Sequence, residues 1–415
     1  MNSTVLPPRL VIAGTHSGVG KTTIATGLMA AYRQHGLAVA SAKVGPDFID
    51  PGYHSIATGL APRNLDAWLC GAQSMAPLAA RAGQEAELLI VEGVMGLYDG
   101  SVDGTPSSTA DIACLLDAPV VLVVDGSAMS ASIAALVRGF RDHRAELNLA
   151  GVILNRVSSA HHRTLLVEAL ETIGVEVLGT VGKDESLTWR DRHLGLVPVE
   201  EKPLEVRASI ERLGAMIAKS CNLQRLEVIA RGARVQQVSL LPEPARVGEA
   251  RVAVAAGAAF SFQYRDNLEA LTAAGAEIVA FDPLVDEQLP ADIDALVLGG
   301  GFPEVFVSRL AENRGLLADV RSQVSAGLIT WAECGALLWL SDSLDAKPMA
   351  AVVPAKAVMS KRLKLGYRTA TALCDNPLMK TGDVVRGHEF HYSTTEPGGD
   401  ALRLSSRFAD RKSVV

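Results

Sequence analysis

The chain has 415 residues, 48% of them hydrophobic, and a formal net charge of −7. That length is generous for one domain and suits two, with enough apolar sequence for large cores. The acidic balance, with no dominant basic patch, argues against a nucleic-acid partner but leaves room for a local basic pocket that takes an anionic small molecule. Five widely spaced cysteines without a C-x-x-C pair fit a reducing compartment, with neither a disulfide framework nor a zinc site. No apolar run reaches membrane-spanning length and no signal peptide is read, so a soluble, cytoplasmic protein without a membrane partner is expected.

The first predicted strand, 10–13, runs into Gly14-Thr-His-Ser-Gly-Val-Gly-Lys-Thr-Thr23. A glycine-rich loop between a strand and a helix cradles phosphate with backbone N–H groups. Gly18, Gly20, Lys21, Thr22 and Thr23 are its candidate nucleotide-binding residues, with Lys21 adding a charge and Thr22 able to hold Mg²⁺. The usual spacing would put the first glycine at Thr15; here it stands one residue earlier, at Gly14.

A second strand, 38–44, ends in Lys43-Val-Gly-Pro-Asp-Phe-Ile-Asp-Pro51. Gly45-Pro46 breaks the strand and leaves Asp47 and Asp50 in a turn, as metal ligands or as turn and helix caps. Of the two, Asp47 is put forward as a metal-binding and catalytic residue. A third strand, 88–91, leads into Glu92-Gly-Val-Met-Gly-Leu-Tyr-Asp-Gly100. Four apolar residues ending in an acid suit Glu92 as a metal ligand; Asp99 reads as a catalytic or substrate-orienting group, or as an ordinary turn residue. Further strands are predicted at 120–124, 151–154 and 175–180, and Asn155 closes one of them, placed to meet a nucleobase or merely to turn the chain. Near-continuous apolar strands alternating with helices predict a parallel sheet covered on both faces, with ligands at the strands' carboxyl ends.

Residues 204–226 have a helical pattern, and 230–249 lack a clear period and read as a linker. The expected division is therefore 1–229, linker 230–249, and 250–415. A second α/β series begins at 251, with strands at 277–281, 295–298, 328–332 and 384–390. Cys334 lies between an apolar strand and a helix start, next to Gly335: an elbow that exposes the sulfur and sets it at a helix N-terminus, which lowers a thiol pKa. The N–H of Gly335 suits an oxyanion hole, and Gly299-Gly-Gly301 offers, at Gly300 and Gly301, a second donor or room for glutamine. A thiolate needs a base. His388 and His391 are three apart in a strand and face opposite ways, so only one can reach Cys334. Glu389 shares a face with His391 and either orients it or makes a solvent-facing pair. Lys361-Arg-Leu-Lys-Leu-Gly-Tyr-Arg368 carries four cations that either meet an anion or line a solvated strand face.

The variant loop resembles that of dethiobiotin synthetase and its relatives. Taken with 43–51, Arg63-Asn-Leu-Asp66, 92–100, Leu154-Asn-Arg156, Phe260-Ser-Phe-Gln-Tyr-Arg-Asp-Asn-Leu-Glu269, Gly299-Gly-Gly-Phe-Pro-Glu304, Ala332-Glu-Cys-Gly335 and Gly387-His-Glu-Phe-His-Tyr-Ser393, it is similar over nearly the whole chain to the cobyrinic (or hydrogenobyrinic) acid a,c-diamide synthase family. The resemblance implies a P-loop, dethiobiotin-synthetase-like α/β domain that binds Mg²⁺-ATP and a tetrapyrrole, and a class I glutamine amidotransferase-like α/β domain. It makes Cys334 the nucleophile and His391 its base, and gives Lys21 and Thr22 to the phosphates and Asp47, Glu92 and Asp99 to metal or substrate. The expected partners are cobyrinic or hydrogenobyrinic acid, glutamine and ATP, with a homodimer left open. Two departures stand out: Gln263 replaces an aromatic residue in the Phe-Gln-Tyr run, and the chain ends Ser405-Ser-Arg-Phe-Ala-Asp-Arg-Lys-Ser-Val-Val415 without the aromatic-rich Ser/His sequence with which members usually close. Rival readings are the same chemistry on nickel-sirohydrochlorin, cobyric acid synthesis, a P-loop nucleotide switch, or a glutaminase-like domain that only binds.

Overall fold

A computed structural model describes residues 3–100, 104–183, 199 and 203–405. The chain divides into two compact units, Met1–Pro242 and Glu243–Val415. Among the described residues no helix is long and apolar enough to cross a membrane.

The first unit is built on a seven-stranded sheet, ordered Arg63–Leu65, Val39–Val44, Leu88–Glu92, Arg9–Gly14, Val120–Asp125, Leu149–Val157 and Val177–Gly182, with every neighbouring pair parallel. Six strands fall on the predicted apolar runs. The edge strand Arg63–Leu65 is too short and polar for a strand pattern to show. Alternation explains the two cores. Leu10, Ile12, Leu88 and Ile90 pack with the helices Lys21–Gln34 and Pro203–Ser220. Val11, Ala13, Leu89 and Val91 face the opposite core with Met75–Ala82 and Thr109–Leu115. Buried on both faces, these strands read as continuous hydrophobic runs. The P-loop strand Arg9–Gly14 is central, so the phosphate loop opens between the ends of Leu88–Glu92 and Val120–Asp125.

The helical pattern over 204–226 resolves into two helices, Pro203–Ser220 and Leu223–Arg231, the second capped by the Asn222 side chain on Arg225 N. The stretch read as a linker contains a strand, Gln237–Ser239, that pairs antiparallel with Ser3–Val5 and so belongs to the first unit up to Pro242.

The second unit holds a four-stranded parallel sheet, ordered Ala276–Phe281, Ala250–Ala255, Ala295–Leu298 and Ile329–Ala332, as the second α/β series predicts. A separate five-stranded sheet follows. Its spine is the 20-residue strand Val353–Ala372, which pairs antiparallel with Val384–Glu396 and Leu402–Ser405. The basic run 361–368 lies on that spine: Lys361 and Arg362 are exposed, and Arg368 pairs with Glu389 at 2.7 Å. Residues 406–415, and with them most of the atypical end of the chain, lie outside the described residues.

Candidate active sites

The phosphate loop starts at Gly14, and packing explains the irregular spacing: a Cβ there would lie 2.5 Å from Val19 Cγ1 and 2.9 Å from Lys21 Cγ. Gly18 and Gly20 have φ of +80° and +99°, the left-handed region that glycine tolerates. Helix Lys21–Gln34 begins directly after Gly20. Lys21 Nζ donates to His16 O at 3.3 Å, curled over its own loop. Burial first, and then the charge of Lys43, push the Lys21 ammonium down to about 8 against the opposite pull of Glu92, Asp50 and Asp99.

Below the loop lies a buried polar cluster. The register sets Lys43 and Ile12 beside Glu92 on adjacent strands. Glu92 Oε1 accepts from Thr22 Oγ1 at 2.6 Å and from Lys43 Nζ at 2.9 Å, while Oε2 meets His54 Nε2 at 2.6 Å. Asp50 Oδ2 sits 2.6 Å from Lys43 Nζ and accepts from Thr22 Oγ1 at 3.3 Å. Burial alone would raise the Glu92 carboxyl, but Lys43, His54 and Thr22 outweigh it and hold it well below the usual range. Burial, with the charges of Asp47 and Glu92, pushes Asp50 up. Burial would lower Lys43, but Asp50, Glu92 and Asp47 prevail and raise it.

This arrangement alters three expectations. Asp50, rather than Asp47, joins Thr22 and Glu92. Asp47 Oδ1 accepts from Ile49 N at 2.7 Å and Asp50 N at 3.4 Å, capping the helix Ile49–Thr58, while its other oxygen stays 4.0 Å from Lys43. Asn155 braces the loop instead of presenting an open base-reading edge: its Nδ2 donates to Val19 O at 2.9 Å and its Oδ1 accepts from Arg156 N. Asp99 is exposed and accepts from Gly96 N at 2.8 Å, closing its own turn. Arg63-Asn-Leu-Asp66 also has a local structural task. Asn64 donates to the carbonyls of Gly45 and Asp47, and Asp66 caps the next helix on Trp68 N and Leu69 N.

Lys43 and His54 are the cluster members that the motifs alone did not single out. A lysine inside an apolar strand, and a histidine one helical turn after Asp50, were the available signals. Among the described residues no three His, Cys, Asp or Glu side chains form a ligand cage. The hard oxygens of Thr22, Asp50 and Glu92 nevertheless fit Mg²⁺, which keeps one or two carboxylates and takes the rest of its shell from phosphates and water.

In the second unit Cys334 has φ 55° and ψ −117°, between the strand Ile329–Ala332 and the helix Gly335–Leu340. This strained turn is a nucleophile elbow. The N–H groups of Gly335 and Gly301 both point to the sulfur. Gly300 is different: its N–H donates to Phe262 O at 3.2 Å and its carbonyl accepts from Phe262 N at 3.0 Å, so it is no oxyanion donor. It supplies room, since a Cβ there would stand 3.2 Å from Cys334 Sγ. The Phe260–Glu269 motif thus walls the nucleophile, and Gln263 bonds the carbonyl of Ala255. The thiol pKa is raised, against the sequence expectation. The cysteine keeps solvent access, yet desolvation by the protein crowded around its sulfur, helped by Glu333 and Glu304, outweighs the two N–H groups, and a six-residue helix contributes little dipole.

His391 lies in Val384–Glu396. Its Nε2 is 2.9 Å from Glu389 Oε1 and its Nδ1 is 2.9 Å from Ser393 O. Of the two readings left open for Glu389, the contact to His391 is present, in a carboxylate also paired to Arg368. No hydrogen bond among the described residues joins His391 to Cys334. His388 packs on Tyr367 at 5.4 Å between ring centroids.

Residues 10–197 match the CobQ/CobB/MinD/ParA nucleotide binding domain, and residues 251–411 the CobB/CobQ-like glutamine amidotransferase domain. The hydrogenobyrinate a,c-diamide synthase of Streptomyces coelicolor is 47% identical, across 95% of this chain and 88% of the relative. That of Thermobifida fusca is 44% identical, across 95% and 86%. The cobyrinate a,c-diamide synthase of Priestia megaterium is 40% identical, across 93% and 85%. With a phosphate loop over buried carboxylates, a cysteine elbow, both domain matches and relatives this similar along nearly its full length, the chain belongs to the hydrogenobyrinate/cobyrinate a,c-diamide synthase family.

Proposed function

We propose that this glutamine-hydrolysing ligase amidates the a and c carboxylates of hydrogenobyrinic or cobyrinic acid, with ATP as activating co-substrate. The observation that carries the reading is the pairing, in one chain, of a phosphate loop above the Thr22–Asp50–Glu92 oxygens with a strained Cys334 elbow. The higher identity to relatives named for the metal-free acid favours hydrogenobyrinic acid.

Thr22, Asp50 and Glu92 would hold Mg²⁺, which when bound offsets phosphate charge. The N–H groups of the loop and Lys21 bind the phosphates. Lys43 is the nearest cation to these oxygens and is suited to charge that develops as a substrate carboxylate accepts a phosphoryl group. Activation is needed because a carboxylate is a poor electrophile; an acyl phosphate gives ammonia a leaving group to displace. Cys334 attacks the glutamine amide carbon, its proton passes by way of His391 to the leaving ammonia, and water then releases the thioester. Gly301 and Gly335 N–H groups stabilise the oxyanion. A Cys334–His391 hydrogen bond is expected to form when glutamine fills the site, since catalytic hydrogen bonds are commonly long or unmade in the empty enzyme.

The test is incubation with each acid, Mg²⁺-ATP and glutamine, followed by mass spectrometry. Two successive losses of about one mass unit are expected, each a carboxylate becoming an amide, with the metal-free acid turned over faster. Glutamine hydrolysis without change to either acid would overturn the substrate.

A further inference from the structure

We propose that His54 is the positioning residue of the nucleotide site: it fixes Glu92 through one oxygen so that the other is presented to the cation as a single-oxygen ligand. The inference rests on the reading of Glu92 as a Mg²⁺ ligand.

His54 and Glu92 are both fully buried, and the histidine comes from a different element, the helix Ile49–Thr58. The two carboxylate oxygens are divided between unlike neighbours. Oε1 faces the phosphate loop, where it accepts from Thr22 and Lys43; Oε2 faces away and meets only His54 Nε2, at 2.6 Å. An ionised carboxylate has only acceptors, so the contact requires a proton on Nε2. Nδ1 is buried and has no hydrogen-bond partner, so a proton there would be an unpaired donor. The contact therefore places a proton on Nε2. A cation at Oε1 would compete with the Lys43 contact there and would leave the His54 contact at Oε2 in place. The ring therefore holds the carboxylate orientation through the change, as outer partners of metal ligands do. Among the described residues the His54 side chain has its hydrogen bond with Glu92, and so would act through it. Asp50, one helical turn earlier, lies on the same helix, so one element delivers both a ligand and the brace of another ligand.

The experiment compares His54→Gln with His54→Asn in the full chain. A glutamine amide reaches the place of Nε2, while an asparagine amide stops near Nδ1. Affinity for a non-hydrolysable ATP analogue is measured calorimetrically with and without Mg²⁺, alongside wild type and Glu92→Gln. Expected is a 10–100-fold loss of affinity in His54→Asn with Mg²⁺ present, no change without it, and recovery in His54→Gln. Equal affinities in the two variants, or an equal loss with and without Mg²⁺, would overturn the proposal. A wild type that binds equally with and without Mg²⁺, or a Glu92→Gln that keeps its Mg²⁺ dependence, would instead overturn the Glu92 reading beneath it. Should His54→Asn not fold, ¹⁵N spectra of the wild-type ring decide: a proton on Nε2 is required both free and Mg²⁺-loaded, and an Nε2 without one overturns the proposal.

Discussion

At the scale of single residues, Lys43 carries the heaviest electrostatic burden. It is the ammonium between Asp50 and Glu92, at 2.6 and 2.9 Å, with nearly all of its side chain out of solvent. Removing one partner of a buried ion pair leaves the other charged and desolvated, so Lys43→Met is expected to destabilise the first unit by about 3–5 kcal/mol in urea unfolding at neutral pH. The acid side changes as well. Glu92 is held below its unfolded value, so its contribution is present above the ordinary carboxylate range and lost as pH falls toward the folded value. Without Lys43 that pull weakens, and the fall in stability below about pH 4.5 should flatten. Glu304 has the opposite sign. Burial first, and then the charge of Asp345, raise it to about 7. Its folded state is therefore favoured below the unfolded value near 4.5, and that advantage is lost as pH rises through about 7. Glu304→Gln should raise the melting temperature at pH 8 more than at pH 5; an equal shift at both would show that Glu304 does not titrate in this range.

At the scale of elements, the cysteine elbow depends on glycine for closeness as much as for freedom. A Cβ on Gly335 would lie 2.9 Å from Pro303 Cδ and 3.0 Å from Gly301 O, the segment that brings the second N–H to the sulfur. Gly335→Ala should therefore displace both oxyanion donors and lower kcat for glutamine hydrolysis about 10²–10³-fold, with a smaller change in KM. Much of this level was legible in the sequence. Apolar runs buried on both faces announced the parallel strands, and the phosphate loop, Glu92 and Cys334 were marked by their positions after strands. What escaped was decided by contacts distant in sequence. Asp47 and Asp50 are both acids in one turn, and only the start of helix Ile49–Thr58 turns one oxygen into a cap and sends the other carboxylate to Lys43. Asn155 reads as a strand-end amide until Val19 O is seen to take its donor. Gly300 looked like its neighbour Gly301 until the bridge to Phe262 claimed its N–H. The spine strand Val353–Ala372 escaped although its partner Val384–Glu396 is the next strand in the chain, because it is largely open to solvent, basic over 361–368, and shows no continuous apolar run.

At the scale of the whole molecule, the chain carries two sites with separate cores, one built on cations and oxygens, the other on sulfur and backbone N–H groups. That division implies a separable chemistry. On the proposed function, Cys334 would make ammonia and take no part in activating the corrin carboxylate, while Lys21, Thr22 and Glu92 would serve activation alone. Cys334→Ala removes only the sulfur from an exposed elbow whose backbone is set by Gly301 and Gly335, so the first unit's loop and carboxylates should be untouched. With glutamine as nitrogen source the variant is expected to lose all amidation. With ammonium chloride at alkaline pH, where free NH₃ is plentiful, it should amidate at the rate of the wild type under the same condition. Thr22→Ala should fail with either nitrogen source, because it loses a hydroxyl that bonds Glu92 at 2.6 Å and could hold the cation. A Cys334→Ala variant that ammonia does not rescue would mean that the thiol, or the glutamine site around it, is needed for activation itself, and the two-site division would fail.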